Sequence, residues 1–114
     1  MSWKELVSME QIDSIVTKSQ QTPCLIFKHS TRCSISSVAK NRLESNWAFS
    51  TEELEPYYLD LLSHRDISAA IAERFHVHHE SPQIILLSKG ECILDASHLD
   101  INVREIAEQL AQSN

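Results

Sequence analysis

The sequence has little glycine, an odd number of cysteines and no long apolar run. One glycine, Gly90, among 114 residues cannot build the glycine-rich loops that hold phosphates, so the P-loop and the dinucleotide-binding fingerprint are both absent. No apolar run is long enough to cross a bilayer. These absences argue against nucleotide-driven chemistry and against a membrane partner.

The charges and the N-terminus exclude two further classes. Ten basic residues stand against sixteen acidic ones, a formal net charge of −6, and the basic residues are scattered, so no nucleic acid partner is expected. Residues 1–7 have neither a continuous apolar core nor a signal cleavage site, which favours a cytoplasmic protein. In that compartment three cysteines are expected to be separate thiols and not a disulfide framework.

The spacing of apolar residues predicts one continuous domain over residues 1–114. Helices are expected over about residues 9–20, from Cys33, after Asp66 and from Asn102. Strands are expected at 24–27, 57–62, 83–87 and 92–94, with Gly90 in a hairpin turn between the last two. The order α-β-α-β-α-β-β-α predicts an α/β protein in which helices flank a four-stranded mixed sheet, the thioredoxin-like fold.

Cys33 is the predicted nucleophile because it lies where an apolar strand gives way to a helix. Its sulfur would lie near unpaired backbone N–H groups and the positive end of the helix dipole, and both favour the thiolate. Arg32 and Lys28 are expected to add positive charge nearby.

The other thiols and the residue three positions after Cys33 limit the chemistry. Cys24 begins an apolar strand and Cys92 lies in the hairpin, so both are predicted to pack as small apolar side chains. Ser36 takes the place of the second cysteine of a Cys-x-x-Cys motif, so a mixed disulfide on Cys33 must be cleared by an external thiol. The Ser36 hydroxyl is expected to donate a hydrogen bond to the thiolate.

Three segments resemble the monothiol bacilliredoxins, thioredoxin-like proteins of the bacillithiol redox system. Residues 27–36, which read Phe-Lys-His-Ser-Thr-Arg-Cys-Ser-Ile-Ser, are similar to the family's strand and active-site signature. Residues 79–83 resemble its second motif and residues 96–101 its third. The family usually has proline directly after the reactive cysteine, whereas this chain has Ser34, which adds a backbone N–H donor there.

The resemblance implies a substrate class and a set of site residues. Cys33, with Ser36, would remove bacillithiol from mixed disulfides on cytoplasmic proteins, with bacillithiol as thiol co-substrate and no bound cofactor. A cis peptide bond before Pro82 is also implied, although X–Pro bonds in general are mostly trans. The residues expected to contact substrate are Thr31, Arg32, Ser34, His79, Ser81, Pro82, Ser97 and His98.

The segment after the last strand separates this chain from the glutaredoxins. Those proteins carry a Gly-Gly-x-Asp segment there, where the backbone approaches glutathione closely. Residues 96–100 read Ala-Ser-His-Leu-Asp and contain no glycine, so such an approach is not expected. A different low-molecular-weight thiol, bearing carboxylates or sugar hydroxyls, is favoured.

A dense histidine segment is predicted to be a polar loop and not a metal site. It contains His76, His78, His79 and Glu80, and adjacent ligands on one extended segment rarely converge on a metal. No metal is therefore expected. His79 and His98 are instead predicted to tune Cys33 as partly charged neighbours.

Two other functions fit a Cys-x-x-Ser motif. Some monothiol glutaredoxins hold an iron–sulfur cluster between two protomers, although they carry glycine and phenylalanine where this chain has Ser34 and Ile35. A non-enzymatic redox sensor, in which thiolated Cys33 itself signals to a partner, is the other alternative. Both stay open at the level of sequence.

Overall fold

Five strands and four helices make up the computed structural model, which describes residues 1–112. The predicted domain of residues 1–114 therefore ends two residues outside the described range. The strands are β1 Lys4–Glu5, β2 Cys24–His29, β3 Glu55–Asp60, β4 Gln83–Ser88 and β5 Glu91–Ser97. The helices are α1 Glu10–Lys18, α2 Ser34–Asn46, α3 Arg65–Phe75 and α4 Val103–Gln112, with a 3-10 turn at His98–Asp100.

The mixed sheet has the order β1-β3-β2-β4-β5. β2 is parallel to β3, and β4 is antiparallel to both β2 and β5. The predicted α/β class and the flanking helices are confirmed, but the predicted count of four strands is wrong because β1 adds a fifth, parallel to β3. Both residues of β1 are charged and exposed, so no apolar alternation marks them as a strand.

Backbone pairing and the residues beside it hold β1 in place. The Leu6 amide donates a hydrogen bond to the Tyr58 carbonyl at 2.9 Å, and Leu6 itself is fully buried. The Trp3 ring stacks on Phe27 with 5.6 Å between centroids. The buried neighbours of β1 and the ion pair between Lys4 and Glu55, 2.6 Å from Nζ to Oε2, therefore account for its position.

Side chains of β2 alternate between two cores because successive residues of a strand point to opposite faces. Cys24 and Ile26 join the cluster that packs against α1 and α3. Leu25 and Phe27 join the cluster that packs against α2 and α4. All six residues of β2 are buried, and the strand continues to His29, two residues beyond its predicted end.

The predicted hairpin turn at Gly90 and the predicted start of the last helix at Asn102 are both confirmed. Lys89 and Gly90 both have positive φ, 53° and 80°, as a tight hairpin turn between β4 and β5 requires. Asn102 caps α4, since its Oδ1 accepts a hydrogen bond from the Glu105 amide at 2.8 Å.

The strand directions bring several segments to one end of the sheet. β2 and β3 finish there at His29 and Asp60, while β4 begins there at Gln83 and pairs with Ser97 at the end of β5. We call this the Cys33 end of the sheet. None of the helices within residues 1–112 is long and apolar enough to cross a membrane.

Candidate functional site

Cys33 is the N-cap residue of α2, in an extended conformation with φ −105° and ψ 120°. Its amide donates to the Ser30 carbonyl at 3.1 Å, and its carbonyl accepts from the Ser37 amide at 3.2 Å. The side chain is partly exposed, and its sulfur has no hydrogen-bond partner among the described residues. A thiolate at this position faces the unpaired N–H groups of the first helical turn.

The residues flanking Cys33 in the chain are open to solvent. Thr31, Arg32 and Ser34 are all exposed, and Arg32 forms no ion pair within residues 1–112. Ser34 occupies the first helical position, where the resemblance leads one to expect proline. The Cys33 sulfur is therefore accessible from solvent, with an unpaired guanidinium next to it in the chain.

Ser36 contacts the end of β2 instead of the Cys33 sulfur. Its hydroxyl lies 2.6 Å from Nδ1 of His29 and accepts a hydrogen bond from the Ser30 amide at 3.0 Å. Ser36 is fully buried, and no hydrogen bond joins its hydroxyl to the Cys33 sulfur. Ser36 ties the first turn of α2 to the strand that precedes Cys33, and its hydrogen bond to a Cys33 thiolate stays a prediction.

We call the contacts that join His29, Ser30 and Ser36 the clamp. Nothing in the sequence singled out His29 as part of it. Its ring is buried between Phe27 and Tyr58, with centroid distances of 5.7 and 5.5 Å. Burial lowers the pKa of His29, and the nearby Lys40 adds to the effect, so the ring is neutral at pH 7. The signal available in the sequence was a histidine close after an apolar strand. Its partner, Ser36, is brought to it only by the fold.

Cys24 and Cys92 differ from Cys33 in environment. Burial raises the pKa of Cys24 to about 11, and burial also raises the pKa of Cys92. Their sulfurs donate to carbonyls, Cys24 to Thr22 at 3.3 Å and Cys92 to Leu94 at 3.5 Å. Both are therefore thiols at neutral pH, in agreement with a packing role.

The predicted substrate-contacting residues of the second and third segments meet at the Cys33 end of the sheet. The Ser81–Pro82 peptide bond is cis, and the Pro82 carbonyl accepts a hydrogen bond from the His98 amide at 3.0 Å. Ser97 ends β5 opposite the start of β4. The Ser81 hydroxyl is buried without a hydrogen-bond partner among the described residues.

Glu80 lies between two histidines of the same region. Its carboxylate oxygens are 3.7 Å from Nε2 of His78 and 3.7 Å from Nε2 of His98. Within residues 1–112 no group of three or more histidine, cysteine or acidic side chains is arranged to hold a metal ion. The segment is a loop whose histidines contact a carboxylate.

Lys28 and His79 lie on the opposite face of the sheet from α2. Lys28 is fully buried, and its Nζ donates to the Ser68 carbonyl at 3.2 Å and to Nδ1 of His79 at 3.3 Å. The sequence led us to expect the positive charge of Lys28 near Cys33, whereas its side chain is buried against α3 on the other face of the sheet. The His79 ring is turned toward this lysine, and its role in substrate binding stays a prediction.

Comparisons with known proteins agree with this geometry. The family model for monothiol bacilliredoxin BrxC matches residues 4–106. A solved protein with a thioredoxin fold is 31% identical, with a TM-score of 0.78 over 92% of this chain and 90% of that one. Thioredoxin from Fasciola hepatica shares the fold at 13% identity, with a TM-score of 0.71 over 97% and 99% of the two chains.

A third structure extends the likeness in fold. Thioredoxin from Malassezia sympodialis has a TM-score of 0.71 at 15% identity and covers 97% of this chain and 90% of its own. The fold predicted from the sequence is thereby confirmed, and a thiol redox function is supported. The chain belongs to the monothiol bacilliredoxin family, with the thioredoxin fold.

Proposed function

We propose that this protein removes bacillithiol from mixed disulfides on cytoplasmic proteins, with Cys33 as the nucleophile. The observation that carries the proposal is the contrast among the thiols. Cys33 is partly exposed at the N-cap of α2, whereas burial raises the pKa of Cys24 to about 11 and raises that of Cys92. The thiolate is the reactive form in disulfide exchange.

The reaction consists of two thiol exchanges. The Cys33 thiolate attacks the bacillithiol sulfur of the mixed disulfide, a new S–S bond forms, and the target protein leaves as its thiolate. A second low-molecular-weight thiolate then attacks the adduct on Cys33, releases it as a disulfide and restores the Cys33 thiolate. Each step exchanges one S–S bond for another, so no bound cofactor is needed.

The second thiol must come from outside the chain. Ser36 stands one helical turn beyond Cys33, where a resolving cysteine would have to lie. Cys24 begins β2, whereas Cys33 follows its end, and five residue steps along a strand span about 16 Å. Leu87 pairs with both Cys24 and Cys92, which places both thiols at the far end of the sheet from Cys33, beyond disulfide reach.

Recognition of the thiol is assigned to the Cys33 end of the sheet. The exposed Thr31, Arg32 and Ser34 flank the sulfur, and Ser81 and Pro82 directly precede the neighbouring strand β4. Ser97 and His98 supply further polar groups, which suit a thiol that carries carboxylates or hydroxyls. The partners are bacillithiol and bacillithiolated proteins of the cytoplasm, where free thiols persist.

The proposal is tested on a purified test protein whose single cysteine carries bacillithiol. Release of that bacillithiol is followed by mass with free bacillithiol as reductant. The native chain and a Cys24→Ser, Cys92→Ser double variant are expected to release it at the same rate, while Cys33→Ser is inactive. Release by Cys33→Ser at the native rate would refute the proposal. The same test protein is also prepared with glutathione on its cysteine. Faster release of glutathione than of bacillithiol would refute the assigned thiol.

A further inference from the structure

A cavity of about 640 Å³ lies along α3, on the face of the sheet opposite α2. Its lining includes four apolar side chains, those of Leu61, Ala69, Ala72 and Val77. It also includes two polar side chains that meet each other, since Ser68 Oγ lies 3.3 Å from Nδ1 of His79. Because Leu61 directly follows β3, the cavity lies at the Cys33 end of the sheet, separated from Cys33 by the sheet itself.

A buried cation, Lys28, is hydrogen-bonded to two residues of the cavity lining, Ser68 and His79. Lys28 is fully buried, and its only hydrogen-bond partners among residues 1–112 are the Ser68 carbonyl and Nδ1 of His79. No carboxylate of that range lies within ion-pair distance of it. A buried ammonium is ordinarily paired with an anion, since an unpaired one loses its hydration without compensation.

The lysine also fixes the tautomer of His79. An ammonium group only donates hydrogen bonds, so Nδ1 of His79 accepts from Lys28 and the ring proton lies on Nε2. Burial and the nearby Lys28 lower the pKa of His79, which keeps the ring neutral. Nε2–H has no protein partner among the described residues. His79, a lining residue of the cavity, therefore has an unpartnered N–H donor at Nε2 and is hydrogen-bonded to a cation at Nδ1.

We propose that this cavity binds a small aliphatic carboxylic acid. The carboxylate lies at the end formed by Ser68 and His79, where Lys28 neutralises it, and the aliphatic chain lies along Leu61, Ala72 and Val77. This binding site is additional to the thiol exchange at Cys33 and does not depend on it.

The lining itself contains one cation and one carboxylate, Arg65 and Glu73. The buried Lys28 is therefore the charge without a counterion near the cavity. A strongly hydrated inorganic anion would leave the apolar side uncovered. An organic acid satisfies the cation and covers the apolar wall at the same time.

The test uses three probes with the same six-carbon chain: hexanoate, hexanol and hexylammonium. Each is titrated into the full chain while backbone-amide NMR resonances are followed. Hexanoate is expected to shift resonances of the cavity segments, residues 61–79, and to bind about tenfold more tightly than hexanol, as hydrogen bonds to charged groups do. Hexylammonium is expected to bind least.

Three variants locate the site. Lys28→Met removes the charge at nearly constant length and is expected to abolish the preference for hexanoate over hexanol. Ala72→Leu fills the cavity and weakens both probes. Ala107→Leu is the matched control, because Ala107 is exposed on α4, and it leaves both affinities unchanged.

Several results would overturn this site. They are equal affinity for hexanoate and hexanol in the native chain, absence of saturable binding, or shifts confined to other segments. Persistence of the preference in Lys28→Met would do the same. Ala72→Leu keeps the lysine in place, so unchanged hexanoate binding in that variant also contradicts the proposal.

Discussion

Replacement of Lys28 by methionine should change how the stability of the protein depends on pH. Burial lowers the pKa of Lys28 from its ordinary value of 10.5 to about 8. Between those two pH values the unfolded chain holds a proton that the native chain has released, so the native state gains stability as the pH rises. Below about pH 8 the native state holds Lys28 as a buried ammonium, so the full free-energy cost of burying that charge is present.

The size of the effect follows from the pKa values. One pKa unit is worth about 1.4 kcal/mol, so the change from 10.5 to about 8 amounts to about 3 kcal/mol. Lys28→Met is therefore expected to be more stable than the native chain by about 3 kcal/mol near pH 7. That difference should shrink toward zero near pH 10.5 as both states of the native chain lose the charge.

Urea unfolding at a series of pH values measures this difference directly. Burial raises the pKa values of Tyr57, Tyr58 and Cys24, so each of them destabilises the fold at high pH. These groups are present in both proteins and cancel in the comparison. A second readout is the pKa of His79, which Lys28 lowers and which should rise in the variant. A stability difference independent of pH would refute the reasoning.

Two further substitutions test the clamp and the helix cap. Ser36→Ala leaves His29 and the Ser30 amide without a buried partner and should lower the free energy of unfolding by about 2 to 4 kcal/mol. Its control is Ser37→Ala at an exposed position, which should change that free energy by less than about 0.5 kcal/mol. Equal urea midpoints for the two variants would contradict the clamp. Asn102→Ala removes the cap of α4 and should lower the free energy of unfolding by about 1 kcal/mol. Asn41→Ala, at an exposed position within α2, should not lower it. Loss of stability in Asn41→Ala but not in Asn102→Ala would reject the cap.

The place of Cys33 at the start of α2 and the hairpin could be predicted because their signals are local. A strand-like apolar run, a short polar turn and a helical repeat place Cys33 at a helix start in any α/β fold. The turn at Gly90 follows from the backbone conformation that glycine tolerates and from the apolar runs on both sides. Asn102 followed by Glu105 marks the start of α4 for the same local reason.

The missed features depend on partners distant in the chain. Lys28 and His29 are polar, so the sequence placed them in a turn after β2. They are buried because α3 supplies the Ser68 carbonyl, 40 residues away, and α2 supplies the Ser36 hydroxyl. β1 was missed because backbone pairing with β3 holds it and its own side chains carry no pattern.

The assignment of Cys33 as the residue that carries bacillithiol is tested most directly by intact-mass spectrometry. The native chain is incubated separately with bacillithiol disulfide and with glutathione disulfide. One bacillithiol adduct is expected on the native chain and on Cys24→Ser, none on Cys33→Ser, and little glutathione on any of them. Equal bacillithiol labelling of Cys33→Ser and the native chain would contradict the assignment.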